Sequence, residues 1–64
     1  MFDAAHFQRI EIAQVSEGWV VTEGGRPVGR FESVETAYQR ALAICGALFD
    51  KGVPSQVHEL PHAA

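Results

Sequence analysis

Residues 33–52 read SVETAYQRALAICGALFDKG, and this stretch predicts the one helix of the chain. Ser33 is a suitable N-cap, because its hydroxyl can accept a hydrogen bond from a free backbone N–H of the first turn. Lys51 and Gly52 form a typical C-terminal stop. Apolar residues recur every three or four positions and fill an arc of about 160°: Val34, Ala37, Tyr38, Ala41, Leu42, Ile44, Cys45, Leu48 and Phe49. The pattern therefore predicts a helix that covers one face of a sheet.

The residues on either side of this helix predict four strands. The predicted strands are 6–15 (HFQRIEIAQV), 19–23 (WVVTE), 28–31 (VGRF) and 55–60 (SQVHEL). Period-two alternation and β-branched or aromatic residues favour the first two strands. Gly24-Gly25 indicates a tight hairpin turn. Pro27 places the third strand at an edge of the sheet, and Gly29 suggests a bulge or a close backbone approach.

This order of elements predicts an α+β fold of the type βββαβ. Short loops make the first three strands an antiparallel meander, and the helix packs on one face of the sheet. A crossover through the helix lets the fourth strand run parallel to the first, in the spatial order 3-2-1-4. At 64 residues we expect one domain that spans residues 1–64.

One helix protects only one face of a sheet, so we expect apolar side chains on the other face. From the alternation we expect some of these four apolar residues on that uncovered face: Phe7, Val15, Trp19 and Val21. An exposed apolar patch on a small sheet usually binds a partner, and a second copy in a two-fold dimer is the simplest one. Two alternatives stay open: the two ends of the chain could fold over this face, and Trp19 could be a core anchor instead of an interface anchor.

Arg26 and Arg30 lie beside the glycine turn and complete the set of candidate interface residues, since they could contact an acidic partner. The net charge of −3 and the scattered basic residues argue against nucleic-acid binding. A single cysteine favours a reducing compartment. No apolar run is long enough to span a membrane, and the first residues lack the features of a secretory signal, so we expect a cytoplasmic protein.

The candidates for chemistry are weak. His58 and His62 are four residues apart, but Pro61 between them disfavours the helix that a metal site of this spacing needs. Cys45 falls inside the apolar arc, which is typical of a structural thiol. The glycine turn lacks the Lys-Ser/Thr ending of a phosphate-binding loop. We therefore expect no enzyme activity, no metal and no cofactor.

Several of these residues match a known pattern. The matching positions are Gly18-Trp19-x-Val21, Gly29-x-Phe31-x-Ser33, Ala37 and Ala41. Between residues 10 and 57 the chain resembles small bacterial domains of unknown function with a G-W-x-V strand and an F-x-S segment that caps an Ala-rich helix. This resemblance implies the strand and helix order and no activity. The chain is less similar to HicB-type antitoxins with a partial ribonuclease-H-like fold, because their acidic Pro-containing loop and DNA-binding segment are missing here.

These observations predict a non-enzymatic protein-interaction module that self-associates through its sheet as a homodimer. The alternative is an antitoxin-like or phage-type inhibitor that binds and occludes an effector protein. The mild acidity of the chain would help such an inhibitor to meet a basic surface.

Overall fold

The computed structural model describes residues 8–61, which form one four-stranded sheet and one helix. The elements in chain order are β1 Gln8–Val15, β2 Gly18–Glu23, β3 Arg26–Phe31, α1 Val34–Asp50 and β4 Ser55–Glu59. The predicted α+β fold of the type βββαβ is confirmed. The first two residues of the predicted first strand, His6 and Phe7, lie outside the described residues.

The strand order in the sheet is β3-β2-β1-β4, as predicted. β2 is antiparallel to both β1 and β3, whereas β4 runs parallel to β1. The parallel pair requires a long crossover, and α1 provides it by crossing one face of the sheet between the two edge strands. The two edges of the sheet are therefore β3 and β4.

β3 begins at Arg26, two residues earlier than the sequence predicted. Gly24 and Gly25 both have positive φ angles, 58° and 88°, which a two-residue turn of the primed type requires. The turn ends at Gly25, so Arg26 pairs at once with Glu23. Pro27 is tolerated inside the strand because β3 is an edge strand.

Both features that Gly29 suggests are present, a β-bulge and a close approach to the glycine backbone. Gly29 is opposite Val21 and Pro27 is opposite Thr22, which leaves Val28 as the extra residue of a β-bulge. A Cβ atom on Gly29 would lie 2.8 Å from Cζ of Phe31, so the ring packs directly over the glycine.

The ends of α1 agree with their predicted signals. The Ser33 hydroxyl accepts a hydrogen bond from the Thr36 N–H at 3.2 Å. At the other end the Gly52 N–H donates to the Phe49 carbonyl at 2.9 Å, and Gly52 has a φ of 78°. In the part of the chain that the structure describes, no helix is both long and apolar enough to cross a membrane.

The core lies between α1 and the sheet. Five residues in it are fully buried: Ile10, Ile12, Val21, Ala37 and Ala41. The two alanines are the buried residues of α1, and their small side chains let the helix approach the sheet closely. Trp19, Phe31, Tyr38, Ile44, Cys45, Leu48 and Val57 pack around this centre and are half-buried.

Candidate interaction surfaces

Of the four candidates for the uncovered face, Trp19 and Val21 lie instead on the face that α1 covers, so the alternative of Trp19 as a core anchor is the one that the structure shows. Val21 is directly opposite Ile12 in the β1–β2 ladder, and paired residues share a face, so it lies beneath α1. Trp19, two positions away in β2, lies on the same face and packs against the core. The cause is the turn register: Val15 pairs with Gly18, which sets Trp19 opposite Gln14. A difference of one residue in this register would have turned both side chains outward.

The face of the sheet opposite α1, called the open face below, is mostly polar. Pairing and alternation place these residues on it: Arg9, Glu11, Ala13, Val15, Val20, Thr22, Arg30, Gln56 and His58. Arg9 forms an ion pair with Glu11, and His58 Nε2 is 3.1 Å from Gln56 Oε1. Val15, 38% exposed, remains a candidate interface residue here. The apolar part of this face is smaller than the sequence suggested.

Arg26 and Arg30 lie on opposite faces of the sheet and so do not form one basic site. Arg30 is opposite Val20 on the open face, and its Nη1 lies 3.4 Å from Glu17 Oε1. Arg26 is opposite Glu23, on the same face of the sheet as α1. It lines an open depression of about 380 Å³ together with Gln8, Glu23, Gly24 and Val28. Phe7, the remaining interface candidate, lies outside the described residues.

The largest exposed apolar side chains lie on α1, where the sequence predicted burial. Phe49 is 79% exposed and Leu42 is 60% exposed. They are seven residues apart, with Cys45 and Gly46 between them at the i+3 and i+4 positions, so the four residues share one side of the helix. We call Leu42, Cys45, Gly46 and Phe49 the helix flank.

One feature of the sequence could have identified the helix flank. The predicted apolar arc of about 160° is wider than the roughly 100° that a helix needs to bury against a sheet. Ala37 and Ala41 mark the line of closest approach, because only small side chains fit there. Large residues at the margin of the arc, about 100° from that line, then remain in solvent.

The helix flank borders the free edge of β4. Cys45, Gly46 and Phe49 line an open groove of about 490 Å³ whose other wall is Val53, Pro54 and Ser55. Gln8 N–H donates to the Pro54 carbonyl at 2.9 Å, and Leu60 N–H donates to the Ile12 carbonyl at 2.8 Å. Alternate residues of a parallel strand bond to the same neighbour, so the odd-numbered residues 55, 57 and 59 direct their N–H and C=O groups away from β1. Within residues 8–61 no further strand pairs with this edge.

A hydrogen bond links the helix to β4 near the start of the helix flank. The Tyr38 hydroxyl donates to Glu59 Oε1 at 3.0 Å. This bond, followed by desolvation and by the negative charge of Glu59, raises the pKa of Tyr38 above its ordinary value. The bond joins α1 to Glu59, the last residue of β4.

The described residues offer little for chemistry. Between residues 8 and 61, no three histidine, cysteine or acidic side chains come together as metal ligands could. Cys45 is a free, half-buried thiol, and the described residues that line the groove beside it include no histidine or carboxylate. His62, one of the two histidines of the disfavoured metal site, lies outside the described residues.

The comparisons with known proteins leave the function to be inferred from the residues of this chain. No protein-family model, no curated protein and no solved structure matches it.

Proposed function

We propose that this chain is a non-enzymatic protein-interaction module that self-associates. The observation that carries this proposal is the exposure of Phe49 and Leu42 on one side of α1. Large apolar side chains that are exposed on one side of a helix, here two turns apart, favour a binding surface. The helix flank and the sheet edge beside it, instead of the open face, are thus the surfaces that would make the protein–protein contact.

The exposure of Phe49 and Leu42 matters for stability because the fully buried core is small. Ile10, Ile12 and Val21 are the largest fully buried side chains among residues 8–61. Burial of one further large apolar side chain contributes about 1.5–3 kcal/mol. A domain of this length has a net stability of only about 3–10 kcal/mol, so covering two such residues in each copy would be a large gain.

The surroundings of the two depressions support a binding role over catalysis. The depression beside Arg26 is lined by one arginine, one carboxylate and neutral groups, in an open corner of the sheet. The groove beside Cys45 is lined by apolar and small side chains and one serine. Neither set pairs a nucleophile with a general base, which most covalent mechanisms require. The lone free thiol is compatible with the cytoplasmic location that we propose.

A second candidate function is the inhibitor that occludes an effector protein. The observation that favours it is the exposed acidic start of α1, where Glu32 and Glu35 lie. Glu35 is seven residues before Leu42, so it continues the helix flank as an acidic end. A partner with an apolar ridge and a basic end would complement this surface.

Self-association is tested by measuring the mass of the purified chain over a wide concentration range. We expect light scattering to show a rise from the 7.0 kDa monomer towards twice that mass between about 1 μM and 1 mM. Apolar association persists in high salt, whereas binding of a basic effector protein weakens steeply as salt screens the charges. A monomer at every concentration and salt level would contradict self-association, and salt-sensitive binding of a basic protein would then favour the inhibitor.

A further inference from the structure

We propose that two copies of this chain join through the free edge of β4, which pairs antiparallel with itself and makes one continuous sheet from two four-stranded ones. The two-fold axis passes between the two copies of Val57. This inference rests on the proposed self-association and names the strand and the register that produce it. The backbone groups of β4, the contrast between the two edges of the sheet and the side chains of β4 support it.

The outward hydrogen-bonding groups of β4 form a short row with a defined end on each side. The even-numbered residues of this segment bond to β1, so residues 55, 57 and 59 direct their N–H and C=O groups to the free side. On one side the row ends at Val53, whose N–H already donates to the Leu48 carbonyl at 2.9 Å. On the other side it ends at Pro61, which has no N–H.

One antiparallel register pairs this whole row with itself. When Val57 is opposite the partner's Val57, Ser55 is opposite the partner's Glu59, and every outward group of the row finds a donor or an acceptor. If Val57 were opposite the partner's Ser55, Glu59 would be opposite Val53, whose N–H is already bonded. If Val57 were opposite the partner's Glu59, Ser55 would be opposite Pro61. The row is therefore self-complementary about Val57, as a two-fold axis requires.

The two edges of the sheet differ in how they resist a further strand. On the β3 edge Pro27 lacks an N–H, the bulge at Val28 breaks the regular spacing, and the exposed Arg26 and Arg30 add charge. β4 has no such protection over Ser55–Glu59, because it contains no proline, its register with β1 is unbroken, and its only charged residue is the last one. The β4 edge is therefore the one that can accept another strand.

The side chains of β4 fit the same register. On the side of the sheet that faces α1, Val57 packs against the core but is only half-buried, and the partner's Val57 would cover it further. Beside this pair the Ser55 hydroxyl can donate to the carboxylate of the partner's Glu59. On the open face Gln56 would lie opposite the partner's His58, and these two residue types already make a polar contact of 3.1 Å within one chain. No two like charges face each other in this arrangement.

The length of β4 predicts a weak, reversible dimer. The strand has five residues, so the contact is smaller than a standard specific interface, which buries about 1,200–2,000 Å². Each new backbone hydrogen bond also replaces bonds to water, which limits its net contribution. We therefore expect a dissociation constant on the order of 100 μM.

Amide hydrogen exchange tests the β4 edge without any substitution. The amides of residues 55, 57 and 59 should exchange about threefold more slowly at about 1 mM protein than at about 50 μM, because only the dimer protects them. The amides of residues 56 and 58 are the internal control. They bond to β1 within one chain, so their exchange should be slow at both concentrations.

Two double variants test the register. Residue 56 is opposite the partner's residue 58, so Gln56→Glu with His58→Lys places opposite charges across the axis. Gln56→Lys with His58→Lys, the matched control, places like charges there. Sedimentation equilibrium should give a dissociation constant at least about tenfold lower for the first variant than for the second, and about 1 M salt should reduce this difference. In either shifted register residue 56 or residue 58 would face its own copy, and the two variants would not differ in this way.

General effects of these substitutions are separable from the effect of pairing. Both positions lie on the open face, away from the buried core, so both variants should keep the circular dichroism of the wild type. The first variant keeps the net charge of −3, and the second is less negative. Repulsion between whole chains would therefore favour the second variant, which is the opposite of the expected order.

Every other outcome overturns the inference in a distinct way. A dimer in which the amides of residues 55, 57 and 59 exchange freely leaves self-association standing and places the interface elsewhere. Protected amides with equal dissociation constants for the two variants would overturn the register about Val57. A wild-type monomer at about 1 mM overturns the inference and the proposed self-association together. A monomer in which the three amides are protected at every concentration would assign the β4 edge to residues of the same chain.

Discussion

Replacement of Trp19 by alanine should destabilise the fold without a specific effect on self-association. Trp19 packs against the buried cluster, beside its cross-strand partner Phe31. Truncation of a fully buried tryptophan costs about 3–5 kcal/mol. Trp19 is only half-buried, so a loss of about 2–3 kcal/mol in the free energy of unfolding is the expected result.

For a domain of this length, such a loss corresponds to a fall in melting temperature of about 8–24 °C. The assay is thermal and urea unfolding followed by far-UV circular dichroism, because the variant lacks the only tryptophan of the chain and gives no indole signal. Trp19→Phe is the matched control, since it keeps an aromatic ring in the same site, and it should recover more than half of the loss. Both variants should still dimerise at concentrations and temperatures where they are folded.

One result would refute this reasoning. If Trp19→Ala kept the wild-type urea midpoint at low concentration but lost the dimer, the indole would be an interface anchor. The face assignment derived from the Val15–Gly18 pairing would then be wrong.

Two further predictions follow from single contacts. Gly29→Ala should lower the free energy of unfolding by about 1–3 kcal/mol, because its Cβ would lie 2.8 Å from the Phe31 ring. In a Phe31→Leu background most of this effect should disappear. An equal loss in both backgrounds would show that the ring is not the cause. Tyr38, the only tyrosine, should titrate by ultraviolet absorbance above its ordinary pKa in the folded protein, and Glu59→Gln should lower that pKa. Because the folded-state pKa is raised, the Tyr38–Glu59 bond stabilises the fold below the unfolded-state pKa of about 10 and ceases to do so as pH rises through the folded-state value. A wild-type titration identical to that of Glu59→Gln would contradict the bond.

Much of the fold could be predicted because local signals decided it. The Ser33 cap, the Gly24-Gly25 turn and the edge position of Pro27 each depend on the chemistry of one or two residues, and each is found where expected. The strand order also followed from loop lengths, since a short loop forces antiparallel neighbours and a helix permits a parallel one. The largest difference among the strand ends is at β3, which begins at Arg26 and includes Pro27, whereas the prediction began this strand at Val28.

The candidate surface could not be predicted in the same way, because it depends on how elements meet. The face of Trp19 is set by the pairing of Val15 with Gly18, and nothing in the residue types of β2 fixes that register. The exposure of Leu42 depends on which line of α1 touches the sheet, and that line is set by the alanines at 37 and 41. Periodicity shows which residues share a side of a helix, but it does not show how wide a strip of the helix surface the sheet covers.

The packing of α1 on the sheet through Ala37 and Ala41 explains why large apolar residues of this helix remain exposed. A helix that approaches a sheet through alanines packs tightly, but it fills the space between the layers with few large side chains, and the fully buried set here is correspondingly small. Phe49 and Leu42 cannot enter that space without pushing the helix away from Ile10 and Ile12. Their apolar area can therefore be buried only from outside the core, beside the free edge of β4. Replacing both exposed residues by polar ones should for this reason leave the monomer fold intact.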